Sequence, residues 1–157
     1  MNKTTSALLI VFIAANLGLA EETSFRSVKV PDLKGNQNKA VLTFSDERKA
    51  VEVHPVKKGD PVTIAYNQID KCSYEFTKKH RITQGVLIGA VSPGVGLIVF
   101  LTHSKSHWLE IDYHDQDTAK VFVVRMDKHD YVQVLESLKS HTGQDAEVLG
   151  NADKRQK

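Results

Sequence analysis

Between residues 40 and 126 apolar positions alternate with polar ones in short runs, the period of strands that bury one face. Residues 40–44 and 50–54 flank a Ser45-Asp46-Glu47-Arg48 turn and predict a hairpin. After Pro55 and the Lys57-Lys58-Gly59-Asp60 turn, Val62, Ile64 and Tyr66 share one face of a third strand. Residues 67–70 predict a corner. Residues 71–77 then alternate strictly, with Cys72, Tyr74 and Phe76 on the buried face and Lys71, Ser73 and Glu75 opposite them. A further strand at 108–113 groups Leu109, Ile111 and Tyr113. In the last strand, 119–126, Val121-Phe122-Val123-Val124 is apolar on both faces, so it is central or lies under a helix. Upstream, residues 21–38 are polar and broken by Pro31 and Gly35, which predicts a linker with at most an edge strand at Val28 and Val30.

The period changes to 3.6 after Met126. Tyr131, Val134, Leu135 and Leu138 form one apolar stripe. Asp127 is the N-cap candidate, and Asp130 stands where the helix dipole favours an acid. Met126 and Tyr131 occupy the positions of a hydrophobic staple. Lys139 and His141 suit the last turn, and Gly143 ends it. Residues 144–157 are expected to be a disordered tail.

One segment fits neither period. Residues 82–102 carry no charge, with Lys78, Lys79 and Arg81 before them and Lys105 after. The length permits a membrane span of about 20 residues. Ser92-Pro93-Gly94 interrupts it, because Pro lacks an N–H and Gly admits positive φ. Each arm then makes only ~12 Å of helix, enough to dip into one leaflet. A shallow helical hairpin is the leading reading, ahead of a single span and a buried β-hairpin. A single span separates strands that need each other. In each case the segment is too apolar to be left in water. Val86, Leu87, Ile88, Val95, Leu97, Ile98, Phe100 and Leu101 are its candidate membrane-binding residues. Lys78, Lys79, Arg81 and Lys105 are candidate headgroup contacts, since cations near an anionic surface gain ~1 kcal/mol each. Trp108 is a candidate interfacial anchor.

The N-terminus has the form of a secretory signal. Lys3 precedes an apolar run at 7–20 in which only Asn16 is polar, and Gly18-Leu19-Ala20 offers a cleavage site before Glu21. Export implies the periplasm or cell envelope, with the protein membrane-associated. The single cysteine, Cys72, allows no internal disulfide, so the core alone must hold the fold. Formal net charge is +2, too little for the basic field of a nucleic-acid binder.

Little in the sequence carries catalytic chemistry. His103 and His107 are spaced i, i+4 with Asp112 and His114 nearby, a spacing that on a helix lets two imidazoles share a metal. Residues 108 onward read as strand, however, so a His-rich edge is the simpler reading, and no metal or other cofactor is expected. Gly94-Val95-Gly96 lacks a third glycine and a preceding strand, so it is not a dinucleotide loop. Cys72 sits on the inward face and reads as a buried, inert thiol.

A series of strands followed by one amphipathic helix gives an α+β class. Ile64-Ala65-Tyr66-Asn67-Gln68-Ile69 before a charged-then-aromatic strand, and Val121-Phe122-Val123-Val124-Arg125 leading into Tyr131 and Leu138, resemble the bacterial pleckstrin-homology-like (PH-like, GRAM-like) domains over residues 39–143. The resemblance implies a curled antiparallel sheet or partly open barrel of five to seven strands closed by the C-terminal helix, here with an apolar hairpin insertion. The expected function is that of a non-enzymatic envelope module docking to membrane lipid or a membrane protein through 82–102. A self-associating scaffold and a His-lined metal-dependent enzyme are the alternatives.

Overall fold

The computed structural model describes residues 21–32, 36–57, 59–82, 86–87 and 98–150. The expected signal peptide and most of the apolar segment, with Ile88, Val95 and Leu97, lie outside these residues.

The strands are β1 Glu22–Pro31, β2 Gln37–Ser45, β3 Ala50–Pro55, β4 Val62–Ala65, β5 Ile69–Ile82, β6 Val86–Leu87, β7 Ile98–Asp115, β8 Thr118–Met126 and β9 Glu147–Leu149. A 3₁₀ turn, Tyr66–Gln68, makes the expected corner, and α1 spans Tyr131–Thr142. The sheet order is β4-β3-β2-β1-β8-β7-β5-β9, with β6 paired to β8 off that path. The β5–β9 and β6–β8 ladders are parallel and the others antiparallel.

The expected barrel of five to seven strands closed by the helix is therefore wrong. The described strands form one open mixed sheet, with β4 and β9 at its ends, and α1 packs on a face of that sheet without closing it. Three elements account for the difference. The polar stretch read as a linker is β1, ten residues long and interior to the sheet, hydrogen-bonded to β2 and β8. Its alternation is broken by an irregularity between Phe25 and Val28. Within the expected tail, β9 pairs with Ser73, Tyr74 and Glu75 along the edge of β5, and Lys71 forms an ion pair with Glu147. Three-residue and two-residue strands such as β9 and β6 are too short to show a period.

The β7–β8 connection turns on Gln116 and Asp117, both at positive φ (47° and 66°), as a two-residue hairpin loop of the twisted kind requires. The helix also starts later than expected. Tyr131 N–H bonds to the Asp127 carbonyl (3.0 Å), so residues 127–130 form a turn and Asp130 is the N-cap. Gly143 ends the helix at φ 74°, its N–H on the Lys139 carbonyl (2.9 Å).

Two cores lie on opposite faces of the sheet. The main one gathers Phe25, Leu42, Phe44, Val51, Ile64, Cys72, Leu109, Ile111, Phe122 and Val124 with Val134 and Leu138 of α1. Tyr131 and Leu135 pack at its margin, so the predicted helix stripe is the buried one. The second core holds Phe100, Trp108, Val121 and Val123. Strand β8 lies between β1 and β7, and its double-sided apolar run serves both cores.

Candidate functional site: a folded-back hairpin arm

Strands β5 and β7 are the longest in the sheet, and their ladder runs on past the expected end of the strand at Thr77. Lys79 pairs with Leu101, His80 with Phe100, Arg81 with Val99 and Ile82 with Ile98. Both ends of the apolar segment are thus strand, and β6 adds Val86 and Leu87 beside Lys120 and Val121 of β8. These parts are extended rather than helical.

A wide bulge separates this arm from the base of the hairpin. Thr77 pairs with Ser106 and Lys79 with Leu101, so Lys78 alone faces residues 102–105. The Thr102 hydroxyl donates to the Ser104 carbonyl (2.7 Å), and Lys79 N–H donates to Thr77 Oγ1 (3.2 Å), which ties both sides of the bend. Bulges of this kind bend a strand sharply. Five residues of straight strand cover ~17 Å, yet His80 Nδ1 lies 3.0 Å from Glu75 Oε2. The arm folds back over the second core.

Alternation then assigns two faces to the arm. Inward, His80 (1% exposed) and Phe100 (3%) stack on Trp108 (0%), with ring centroids 5.4 and 6.0 Å from it. The Trp108 indole N–H donates to the Thr77 carbonyl (3.2 Å). His80 Nε2 meets Glu110 Oε2 at 2.9 Å, so each ring nitrogen has its own carboxylate. Burial alone pulls the imidazole's pKa down; the hydrogen bonds to Glu110 and Glu75 outweigh it and hold it above its ordinary value. Outward, Lys79, Arg81 and Leu101 are exposed, Leu101 by 70%. Lys78 and Lys105 are exposed at the bulge, where Lys105 Nζ lies 5.6 Å from the centre of the Phe76 ring. No ion pair among the described residues involves Lys78, Lys79, Arg81 or Lys105.

The candidate residues therefore separate. The four cations and Leu101 lie together on and beside the outer face of the arm. Phe100 and Trp108 do not join them: both are buried in the second core and offer nothing to a membrane in this arrangement. Val86 and Leu87 are in β6, and Ile98 is opposite Ile82. His80, which stands in sequence among Lys78, Lys79 and Arg81, is not among the residues the sequence singles out. Extending the alternation through residue 82 is the signal that puts Lys79 and Arg81 out and His80 in.

The histidines near 103–114 do not converge. His103 is exposed in the bulge, and His114 bonds to Asp70. His107 is hydrogen-bonded to the Tyr74 hydroxyl (2.8 Å) and stacks on Tyr131 at 3.8 Å. Burial lowers the His107 pKa, which favours the neutral ring. No group of three or more His, Cys, Asp or Glu that suits a metal occurs among the described residues. A second constellation has the order of a hydrolytic triad: Thr23 Oγ1 lies 3.1 Å from His141 Nε2, and His141 Nδ1 lies 3.0 Å from Asp46 Oδ1. The second contact is off hydrogen-bond alignment, and Nδ1 has no aligned partner. His141 is stacked on Phe44 (5.8 Å), so the group ties the last turn of α1 to β1 and β2. Cys72 is buried, and burial pushes its thiol up to about 12.

No helix among the described residues is long and apolar enough to cross a membrane, a statement that does not bear on strands. No protein-family model matches the chain. No curated protein matches it. Among solved structures, one described as "Structure of the Spt16D Pob3N heterodimer" aligns with a TM-score of 0.46 and 12% identity, over 82% of this chain and 54% of that one. The chain thus spans about half the length of that solved chain, and a likeness at this level carries no argument about function.

Proposed function

We propose that the folded-back β5/β7 arm docks the protein on an anionic membrane surface. In this reading the protein is an exported, non-enzymatic envelope module of PH-like type. The observation that supports it most is the outer face of the arm. Lys79, Arg81 and Leu101 share that face, Lys78 and Lys105 flank it, and none of these cations has an acidic partner among the described residues. The 82–102 segment, uncharged throughout, continues from the same arm. Cations beside an apolar element combine headgroup attraction with shallow insertion. The PH-like assignment is supported by the order of the long strands, a β1–β4 meander followed by the β5, β7 and β8 strands and then the helix.

Flotation of the purified protein with phosphatidylglycerol vesicles and with phosphatidylcholine vesicles tests the reading. Binding to the anionic vesicles that weakens with salt is expected, because exposed charges are screened over ~10 Å at 0.1 M. Protein that floats with neither and forms a defined oligomer without detergent points instead to self-association.

A further inference from the structure

The arm is held to the sheet by a charged bridge. His80, on the arm, bonds through Nδ1 to Glu75 (3.0 Å) and through Nε2 to Glu110 (2.9 Å), both on the base of the same hairpin. The imidazole is fully buried and the carboxyl side chains are 23% and 15% exposed. Only the protonated ring donates from both nitrogens. A neutral ring leaves one nitrogen lone pair facing a carboxylate, with two negative charges and no cation between them.

We propose that Glu75–His80–Glu110 is a proton-operated latch, which fastens the arm over Trp108 while His80 is charged and frees it when the proton leaves. Among the described residues, the elements packed around His80 bring no competing cation to the ring itself. From β7 come Glu110, Trp108 and Phe100, and from β5 comes Glu75. From β8 come Val121 and Val123 of the same cluster, with Arg125 beside Trp108 in the ladder. Further along the face, Asp112 stands near Glu110, with Lys71 and Asp70 beyond it. The hydrogen bonds that raise the His80 pKa despite burial place release above the ordinary imidazole value of 6.5. The covered side of the arm, His80 and Phe100, is then added to the outer face of Lys79, Arg81 and Leu101. That consequence rests on the docking reading; the latch itself does not.

Two readouts on the full-length mature protein separate them. Hydrogen exchange of the arm amides, at Lys79, Arg81, Phe100 and Leu101, is followed against pH beside the NMR titration of His80. Protection factors should fall by up to about tenfold per pH unit between the ordinary imidazole value of 6.5 and the His80 midpoint, and level off above it. Glu110→Gln should lower that midpoint, and His80→Phe, which keeps an aromatic ring on Trp108, should abolish the step. If arm protection is independent of pH across the His80 titration, or if the step persists in a folded His80→Phe protein, the latch is wrong. Flotation with phosphatidylglycerol vesicles over the same range then reads the coupling. Binding that rises at the same midpoint in wild type and not in His80→Phe supports a latch that controls docking. An exchange step without flotation at any pH keeps the latch and overturns docking.

Discussion

Phe100 and Trp108 belong to one strand, and their rings stack with centroids 6.0 Å apart although eight residues of straight strand cover ~26 Å. Strand β7 reaches over its own base to make this contact, and the bulge at 102–105 is what allows it. The arm is therefore a packed part of the fold on one face and free on the other.

That asymmetry predicts opposite results for adjacent residues. Phe100→Ala removes a ring that is 3% exposed and should cost about 3–5 kcal/mol. Leu101→Ala, next to it and 70% exposed, should change stability by less than about 0.5 kcal/mol. Urea unfolding of the two variants checks this. Equal effects would mean that the arm does not fold back.

The helix stripe makes a second comparison. Leu138 is fully buried in the main core, so Leu138→Ala should cost about 2–5 kcal/mol. A Cβ added to Gly143 meets nothing within 4 Å, and only its φ of 74° resists substitution. Gly143→Ala should therefore cost ~1–2 kcal/mol, through the backbone alone, and Gly143→Asn less, since Asn tolerates this region. Thermal or urea midpoints of the three variants decide it.

How much of this was legible beforehand differs by element. The strict alternation at 71–77 put Cys72, Tyr74 and Phe76 on the right face, and Leu109, Ile111 and Tyr113 are buried together as their spacing implies. The double-sided run at 121–124 signalled a central strand because it feeds two cores. Strand β1 was not legible: Arg26, Ser27 and Lys29 interrupt its apolar positions, and β8, one of its two ladder partners, is distant in sequence. The arm was hidden for another reason. Leu101 and Phe100 are equally apolar; alternation puts them on opposite faces, and the bend at 102–105 determines which face is covered. His80 reads as one more cation in Lys78-Lys79-His80-Arg81 until its alternation with exposed neighbours is known.

Asp112 predicts an acid-side pH dependence. Burial first, then the nearby Glu110 charge, raises its pKa from 3.8 to about 6. Its contribution is favourable while it is protonated in the fold, fully so below 3.8, and is lost as pH rises toward about 6. His80 has the same sign at higher pH: its bridge stabilises fully below 6.5 and is lost as pH rises through its higher folded value. Asp112→Asn should thus raise the urea midpoint relative to wild type at pH 7, and the difference should vanish near pH 3.5. A difference that is constant with pH would mean that Asp112 is not titrating in the buried position described.

Cys72 offers a probe of opening. Its thiol is buried and its pKa is pushed up to about 12, so thiolate is scarce at neutral pH. A thiol reagent should modify the native protein at least a hundredfold more slowly than the urea-unfolded chain, and Leu138→Ala should narrow that gap. Prompt native labelling would place Cys72 at the surface.

The most direct test of the docking account alters the outer face of the arm and reads binding to lipid. Lys79→Glu with Arg81→Glu changes only exposed side chains, and Leu101→Asp removes the exposed apolar contact between them. Each protein is floated with phosphatidylglycerol vesicles at low and high salt. At ~1 kcal/mol per cation near an anionic surface, the double charge reversal should reduce low-salt binding by at least about tenfold. Leu101→Asp should reduce binding at both salt concentrations, and both variants should keep the wild-type stability within about 0.5 kcal/mol. Wild-type protein that floats with no lipid and remains monodisperse without detergent, or that floats equally well after the charge reversal, would contradict the account.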